Sequence, residues 1–101
     1  MHLIELFLPC DRGDGTPVGE DELQEVVASL ADRFGGATAF TRTPAQGLWK
    51  SATAVEEDRI VNVEVMVEDL DMPWWRNYRA ALEKQLQQQH VLIRATLCLT
   101  L

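Results

Sequence analysis

Hydrophobic and polar positions recur along this chain in patterns that divide it into six elements. Residues 2–8 (HLIELFL) are rich in Leu, Ile and Phe, read as a strand, and stop at Pro9. Residues 10–19 contain Gly13, Gly15, Pro17 and Gly19 and read as a loop. Leu23, Val26, Val27, Leu30 and Phe34 then fall on one face of a helix over residues 20–34. Its acids Glu20, Asp21 and Glu22 lie in the first turn, where the helix dipole favours them, and Gly35-Gly36 closes it. A strand beginning at Ala37 runs through Ala39, Phe40 and Arg42 to a break at Pro44, and Leu48-Trp49-Lys50 resumes it after a kink. Residues 51–54 are the place for a turn. Val61, Val63, Val65 and Val67 alternate with Asn62, Glu64, Met66 and Glu68, the clearest strand of the chain. Asp71 as N-cap and Pro73 in the first turn predict a second helix to about residue 89, with Trp75, Tyr78, Leu82 and Leu86 as its buried stripe. Val91, Ile93, Ala95, Leu97 and Leu99 form the apolar face of a closing strand over residues 91–101.

The order β-α-β-β-α-β, with right-handed crossovers, most simply gives a four-stranded antiparallel sheet in the order 4-1-3-2 with both helices on one face. This is a ferredoxin-like α+β architecture, a single domain over residues 1–101. The length of 101 residues supports one core, and 47% hydrophobic with 25% charged residues excludes disorder as the main state.

Alternation assigns the sheet face that no helix covers. It holds Leu3, Glu5, Phe7, Phe40, Arg42, Ile60, Asn62, Glu64, Met66, Leu92, Arg94, Thr96 and Cys98. Leu3, Phe7, Phe40, Ile60, Met66 and Leu92 are large and apolar, more than a soluble monomer usually leaves wet, so a homodimer joined sheet to sheet or edge to edge is expected. The strand order sets Glu5 and Glu64 centrally with Arg42 and Arg94 outside, an arrangement that serves ion pairing or contacts to a small molecule. Trp49 follows the Pro44–Gly47 kink and either walls a small pocket or caps the end of the core. Glu5, Arg42, Trp49, Glu64 and Arg94 are therefore the candidate ligand-binding residues; no catalytic residue is assigned.

Sixteen acidic against nine basic residues give a net charge of −7, which argues against nucleic acid or an anionic membrane as partner. Asn62 and Glu64 on the third strand also replace the aromatics an RNA-binding sheet needs. No apolar run approaches the roughly 18 residues of a membrane span, and residues 2–8 carry Glu5 and lack a basic lead-in, so a cytoplasmic location is expected. Cys10 and Cys98 fall at opposite ends of the sheet, roughly 26 Å apart along a strand, and are expected as free thiols. Cys10 and His90 end and begin neighbouring strands, a thiolate–imidazole arrangement in outline, but no third residue orients it. The loop from Asp11 to Glu22 matches a calcium loop only at its first and last positions, with Thr16 where glycine is required. No metal or cofactor is indicated.

Phe34-Gly35-Gly36-Ala37-Thr38-Ala39-Phe40, then Arg42, Pro44-Ala45 and Gly47-Leu48-Trp49, then residues 63–71 (VEVMVEDLD) with Trp74-Trp75, resemble a group of small bacterial proteins of unknown function with a ferredoxin-like fold. That resemblance spans most of the chain and implies no activity. In size and element order the chain also looks like the dimeric α+β barrel proteins, which include cofactor-free monooxygenases and small-molecule-binding modules. The expectation is a non-enzymatic homodimeric module that binds a small molecule or a protein through its open sheet. The alternative is a small cofactor-independent enzyme of the dimeric α+β barrel type, monooxygenase- or isomerase-like, holding substrate with Arg42, Trp49 and Glu64.

Overall fold

A computed structural model describes the backbone of residues 1–50 and 55–101, and the side chains of residues 1–39 and 59–101. The elements follow as β1 (His2–Pro9), α1 (Glu20–Phe34), β2 (Thr38–Lys50), β3 (Val55–Val67), α2 (Met72–Gln85) and β4 (Leu92–Leu97). The sheet order is β2-β3-β1-β4, the expected 4-1-3-2 seen from the other edge, and every pairing is antiparallel. The ferredoxin-like βαββαβ arrangement is thus the observed fold. The turn expected at residues 51–54 lies outside the described residues.

The register explains the core. Ile4 stands between Val65 and Ala95, and Leu6 between Val63 and Ile93, so the buried parities of three strands meet on one face. Leu23, Val26 and Leu30 of α1 and Trp75, Leu82 and Leu86 of α2 close over Ile4, Leu6, Leu8 and the valine row. Each fully buried Leu or Ile contributes about 1.5–3 kcal/mol through removal from water. Between the helices, Phe34 stacks on Trp75 with centroids 5.1 Å apart, and Trp74 stacks on Tyr78 at 4.9 Å. The Arg33 guanidinium sits 4.2 Å from the centre of the Trp74 ring, so Trp74 serves the helix seam.

Local chemistry sets the helix ends. Gly35 adopts φ 83°, a left-handed turn that glycine reaches without penalty, and its N–H donates to the Ala31 carbonyl at 2.8 Å. At α2 the Asp71 carboxylate accepts from the Trp74 backbone N–H at 3.1 Å. This helix stops at Gln85, about four residues before the expected end. Leu86 is the last residue of its apolar stripe, and Gln87, at φ 53°, turns the chain back. The Glu83 carboxylate then accepts from the Val91 N–H at 2.9 Å, fixing the start of the return.

β2 shows the expected interruption: its pairing with β3 shifts register between Phe40 and Ala45, which absorbs a residue that cannot donate to the ladder, and the strand resumes to Lys50. One strand differs from expectation. β4 is shorter than residues 91–101, and its apolar row is buried only at Val91, with Ile93 partly covered. Leu97 and Leu99 are 74% and 91% exposed. The first turns of α2 reach β4 at Ile93, and Leu97 lies two rungs farther along the strand.

Candidate ligand-binding site

The open face takes the parity expected of it, and its side chains shelter one another. One row across the strands reads Thr38, Glu64, Glu5, Arg94, flanked by a row of Met66, Leu3 and Thr96 and by one containing Asn62, Phe7 and Leu92. Arg94 donates to both Glu5 oxygens at 3.0 and 3.4 Å and lies 5.0 Å from the centre of the Phe7 ring. The Glu5 carboxylate holds the Arg94 guanidinium above its ordinary pKa, and the two sites engage each other. Glu64 stands directly opposite Glu5 and lines a shallow recess with Leu3, Thr38 and Met66. Beside it Asn62 keeps a buried Oδ1 with no donor among the described residues. Of the five candidate residues, the structure thus brings Glu5, Glu64 and Arg94 into one row. The side chains of Arg42 and Trp49 lie outside the described residues.

Among the described residues a larger concavity lies elsewhere, on the helix side of the sheet. A cavity of about 510 Å³ opens between the first turns of α1, the end of β1 and the adjoining part of β3. Val18, Leu23, Val27, Ala39 and Val61 give it an apolar lining, and Cys10, Asp11, Glu20, Gln24 and Arg59 contribute polar groups. Ala39 occupies the β2 position on the buried parity, opposite Val63, and lines the cavity. Arg59 continues the parity of Val61, Val63, Val65 and Val67, so the apolar row breaks off at a cation beside the cavity. That interruption is the sequence signal that the reading of the open face passed over.

The loop from β1 to α1 forms the rim and is firmly held. The Cys10 N–H donates to the Arg59 carbonyl at 2.8 Å, and the Cys10 carbonyl accepts from the Val18 N–H at 2.8 Å. The Asp14 carboxylate accepts from the Thr16 N–H at 2.9 Å and hydroxyl at 2.6 Å, which lowers its pKa. Arg12 pairs with Glu22 of α1 and donates to the Gln85 carbonyl at 3.1 Å, while Gln88 donates to the Asp11 carbonyl at 2.9 Å. Gly13 is required where the loop meets the end of α2, because a Cβ there would lie 2.0 Å from the Gln87 carbonyl oxygen.

Cys10 and Cys98 are free thiols at opposite ends of the sheet, one bonded through its backbone to Arg59 and the other to Met1. Burial pushes the Cys10 thiol above its ordinary pKa against the opposing pull of Arg59, with Asp11 adding to the rise. A thiol in that state is protonated at neutral pH and is a poor nucleophile. His90 belongs to another environment, with Nδ1 3.6 Å from the Glu83 carboxylate, and does not line the cavity. Among the described residues, no group of three or more His, Cys, Asp or Glu could hold a metal ion, and no helix is long and apolar enough to cross a membrane.

No family model and no curated protein matches the sequence. Solved structures do match it. A phage SAM lyase in complex with S-methyl-5'-thioadenosine is 13% identical with a TM-score of 0.63, covering 94% of this chain and 79% of that one. The phage SAM lyase in its apo state is 14% identical with a TM-score of 0.64, covering 94% and 78%. At these identities the likeness is one of fold.

Proposed function

We propose that this domain binds a small molecule in the cavity beneath the first turns of α1. The observation that carries the reading is the cavity itself: about 510 Å³, with an apolar lining and a few polar groups converging on it. Small-molecule sites occupy roughly 300–1,000 Å³ and have this composition. A ligand with a flat apolar body and a polar periphery fits best, the body against Val27 and Val61 and the periphery toward Arg59 and Glu20. A nucleoside is such a molecule, and the fold neighbour that holds S-methyl-5'-thioadenosine supports that class as the first to try. The open sheet is the weaker candidate, because Glu5 and Arg94 already satisfy each other.

Isothermal titration of the protein with S-methyl-5'-thioadenosine, and separately with adenosine, tests the reading. Saturable one-to-one binding is expected, weakened at least tenfold by Val27→Trp, which fills the cavity, with the circular dichroism unchanged. Absence of saturable binding by both nucleosides overturns the nucleoside assignment, and equal affinity in Val27→Trp overturns the cavity as the site. The second reading, a small enzyme, is favoured by the fold shared with a lyase. Incubation with SAM distinguishes them: S-methyl-5'-thioadenosine accumulating with enzyme concentration establishes catalysis, and intact SAM leaves the binding module.

A further inference from the structure

β4 is an edge strand with almost no charge to protect it. From Val91 to Leu101 the sequence is VLIRATLCLTL, in a chain of net charge −7, and Arg94 is the single charged residue. Edge strands normally carry charges, prolines or bulges that prevent pairing with another chain. Here the one charge is turned to the open face and engaged by Glu5. The Cys98 N–H donates inward to the Met1 carbonyl. By alternation, the N–H and C=O groups of Ile93, Ala95 and Leu97 point outward at the free edge.

This edge offers both a projection and a place for it. Leu97 is 74% exposed. A groove of about 160 Å³ runs between α2 and Ile93, lined by Leu70, Met72, Trp75, Arg76 and Arg79. Met72 is 48% exposed beside it, and Arg79 Nε is buried without an acceptor among the described residues. We propose that two copies of this chain pair antiparallel through β4, about a two-fold axis at Ala95, to make one continuous eight-stranded sheet. In that register Leu97 of each copy lies opposite Ile93 of the other, at the mouth of the groove. Arg94 lies opposite Thr96, so no like charges meet. Moving the axis to Arg94 would set the two guanidinium groups against each other. Moving it to Thr96 would require pairing beyond Leu97, where regular β4 ends. The register centred on Ala95 keeps every outward-bonding residue, Ile93 to Leu97, within the formed strand. The contact is independent of the cavity proposed for ligand binding, since none of its residues lines that cavity.

Sedimentation equilibrium at micromolar concentration, on the wild type and on Leu97→Lys, tests the proposal. The wild type should show twice the 11.4 kDa of the chain, and Leu97→Lys should raise the dimer dissociation constant at least tenfold with unchanged circular dichroism. A second variant fixes the register. Ala95→Cys in a background lacking Cys10 and Cys98 should form a disulfide-linked dimer on mild oxidation, since directly opposed strand residues about 5.5 Å apart are within disulfide reach. A wild-type monomer, a trimer, an unaffected Leu97→Lys dimer or failure of Ala95→Cys to cross-link would each overturn it.

Discussion

Replacing Gly13 by Ala probes the joint between the cavity rim and the end of α2. The backbone at Gly13 is not in the left-handed region, so conformation alone makes alanine acceptable there. Space does not: the added Cβ would lie 2.0 Å from the Gln87 carbonyl oxygen, against the 3.0 Å below which such contacts essentially never occur. The loop must therefore withdraw by about 1 Å, and the contacting atom is backbone held in the turn that ends α2. Withdrawal strains the Arg12–Glu22 pair and the bonds from Arg12 to Gln85 and from Gln88 to Asp11. Overpacking of this kind costs about 1–3 kcal/mol. In a domain of this size, about 2 kcal/mol lowers the midpoint of thermal unfolding by roughly 8–16 °C. Gly15→Ala is the control, since Gly15 has φ 87° but open space where a side chain would stand. Left-handed strain there costs about 1–2 kcal/mol, and with no atom in the way nothing is added to it. Thermal unfolding followed by circular dichroism should rank the variants wild type, Gly15→Ala, Gly13→Ala in falling stability. A Gly13→Ala midpoint equal to or above that of Gly15→Ala would refute the argument that close approach, and not backbone conformation, fixes glycine at position 13.

Two further outcomes follow from buried ionisable groups. Tyr78 is the sole tyrosine, and burial pushes its pKa up to about 12. Tyrosinate absorbance near 295 nm should therefore titrate about two units above the value in denaturant, and a midpoint near 10 would place the ring in solvent. Because the folded-state pKa is the higher one, this group's contribution is fully present below about pH 10 and is lost as pH rises toward 12. Alkylation of Cys10 by iodoacetamide at pH 8, in a Cys98→Ser background, should be slower in the native protein than in the unfolded chain, and slower still with ligand in the cavity; ligand-independent alkylation would mean the ligand binds elsewhere.

Most of the fold was legible because its elements are each marked twice. The face of α1 shows in the spacing from Leu23 to Phe34 and its end in Gly35, and the buried face of β3 shows in four alternating valines. The end of α2 was harder to place: Gln87, Gln88 and Gln89 are compatible with a helix, and only the lack of a further apolar residue after Leu86 marks the exit. β4 was overextended for the opposite reason. Leu97 and Leu99 continue the strand period perfectly well, but alternation reports which side a residue takes and not whether anything lies above it. The row Glu64, Glu5, Arg94 was recovered because antiparallel pairing follows from element order. The cavity was not: alternation sets Ala39 and Arg59 on the helix side of the sheet, but the space above them depends on where α1 settles.

The two helices divide the sheet between them, and this division bears on how binding and assembly relate. α1 lies against β3 and roofs the cavity through Leu23 and Val27, whereas the first turns of α2 border the groove beside Ile93 at the β4 edge. They are joined by the aromatic seam of Phe34, Trp74, Trp75 and Tyr78, interlocked by stacked and edge-to-face contacts, and at the other end of α2 by the bonds from Arg12 to Gln85 and from Gln88 to Asp11. Two sites affect each other only if a ligand at one favours an arrangement that alters the other. A ligand beneath α1 could do so through that seam or through the loop bonds, but the loop meets α2 at its far end, away from the groove, and rings packed this closely resist small displacements. The dimer dissociation constant measured by sedimentation should therefore be the same, within a factor of two, with and without saturating S-methyl-5'-thioadenosine. By reciprocity the nucleoside affinity should be the same in the wild type and in Leu97→Lys. A tenfold change in either would mean that the seam slides as a unit, and Phe34→Ala, which removes its contact with both indoles, should then abolish that coupling while leaving each site able to bind.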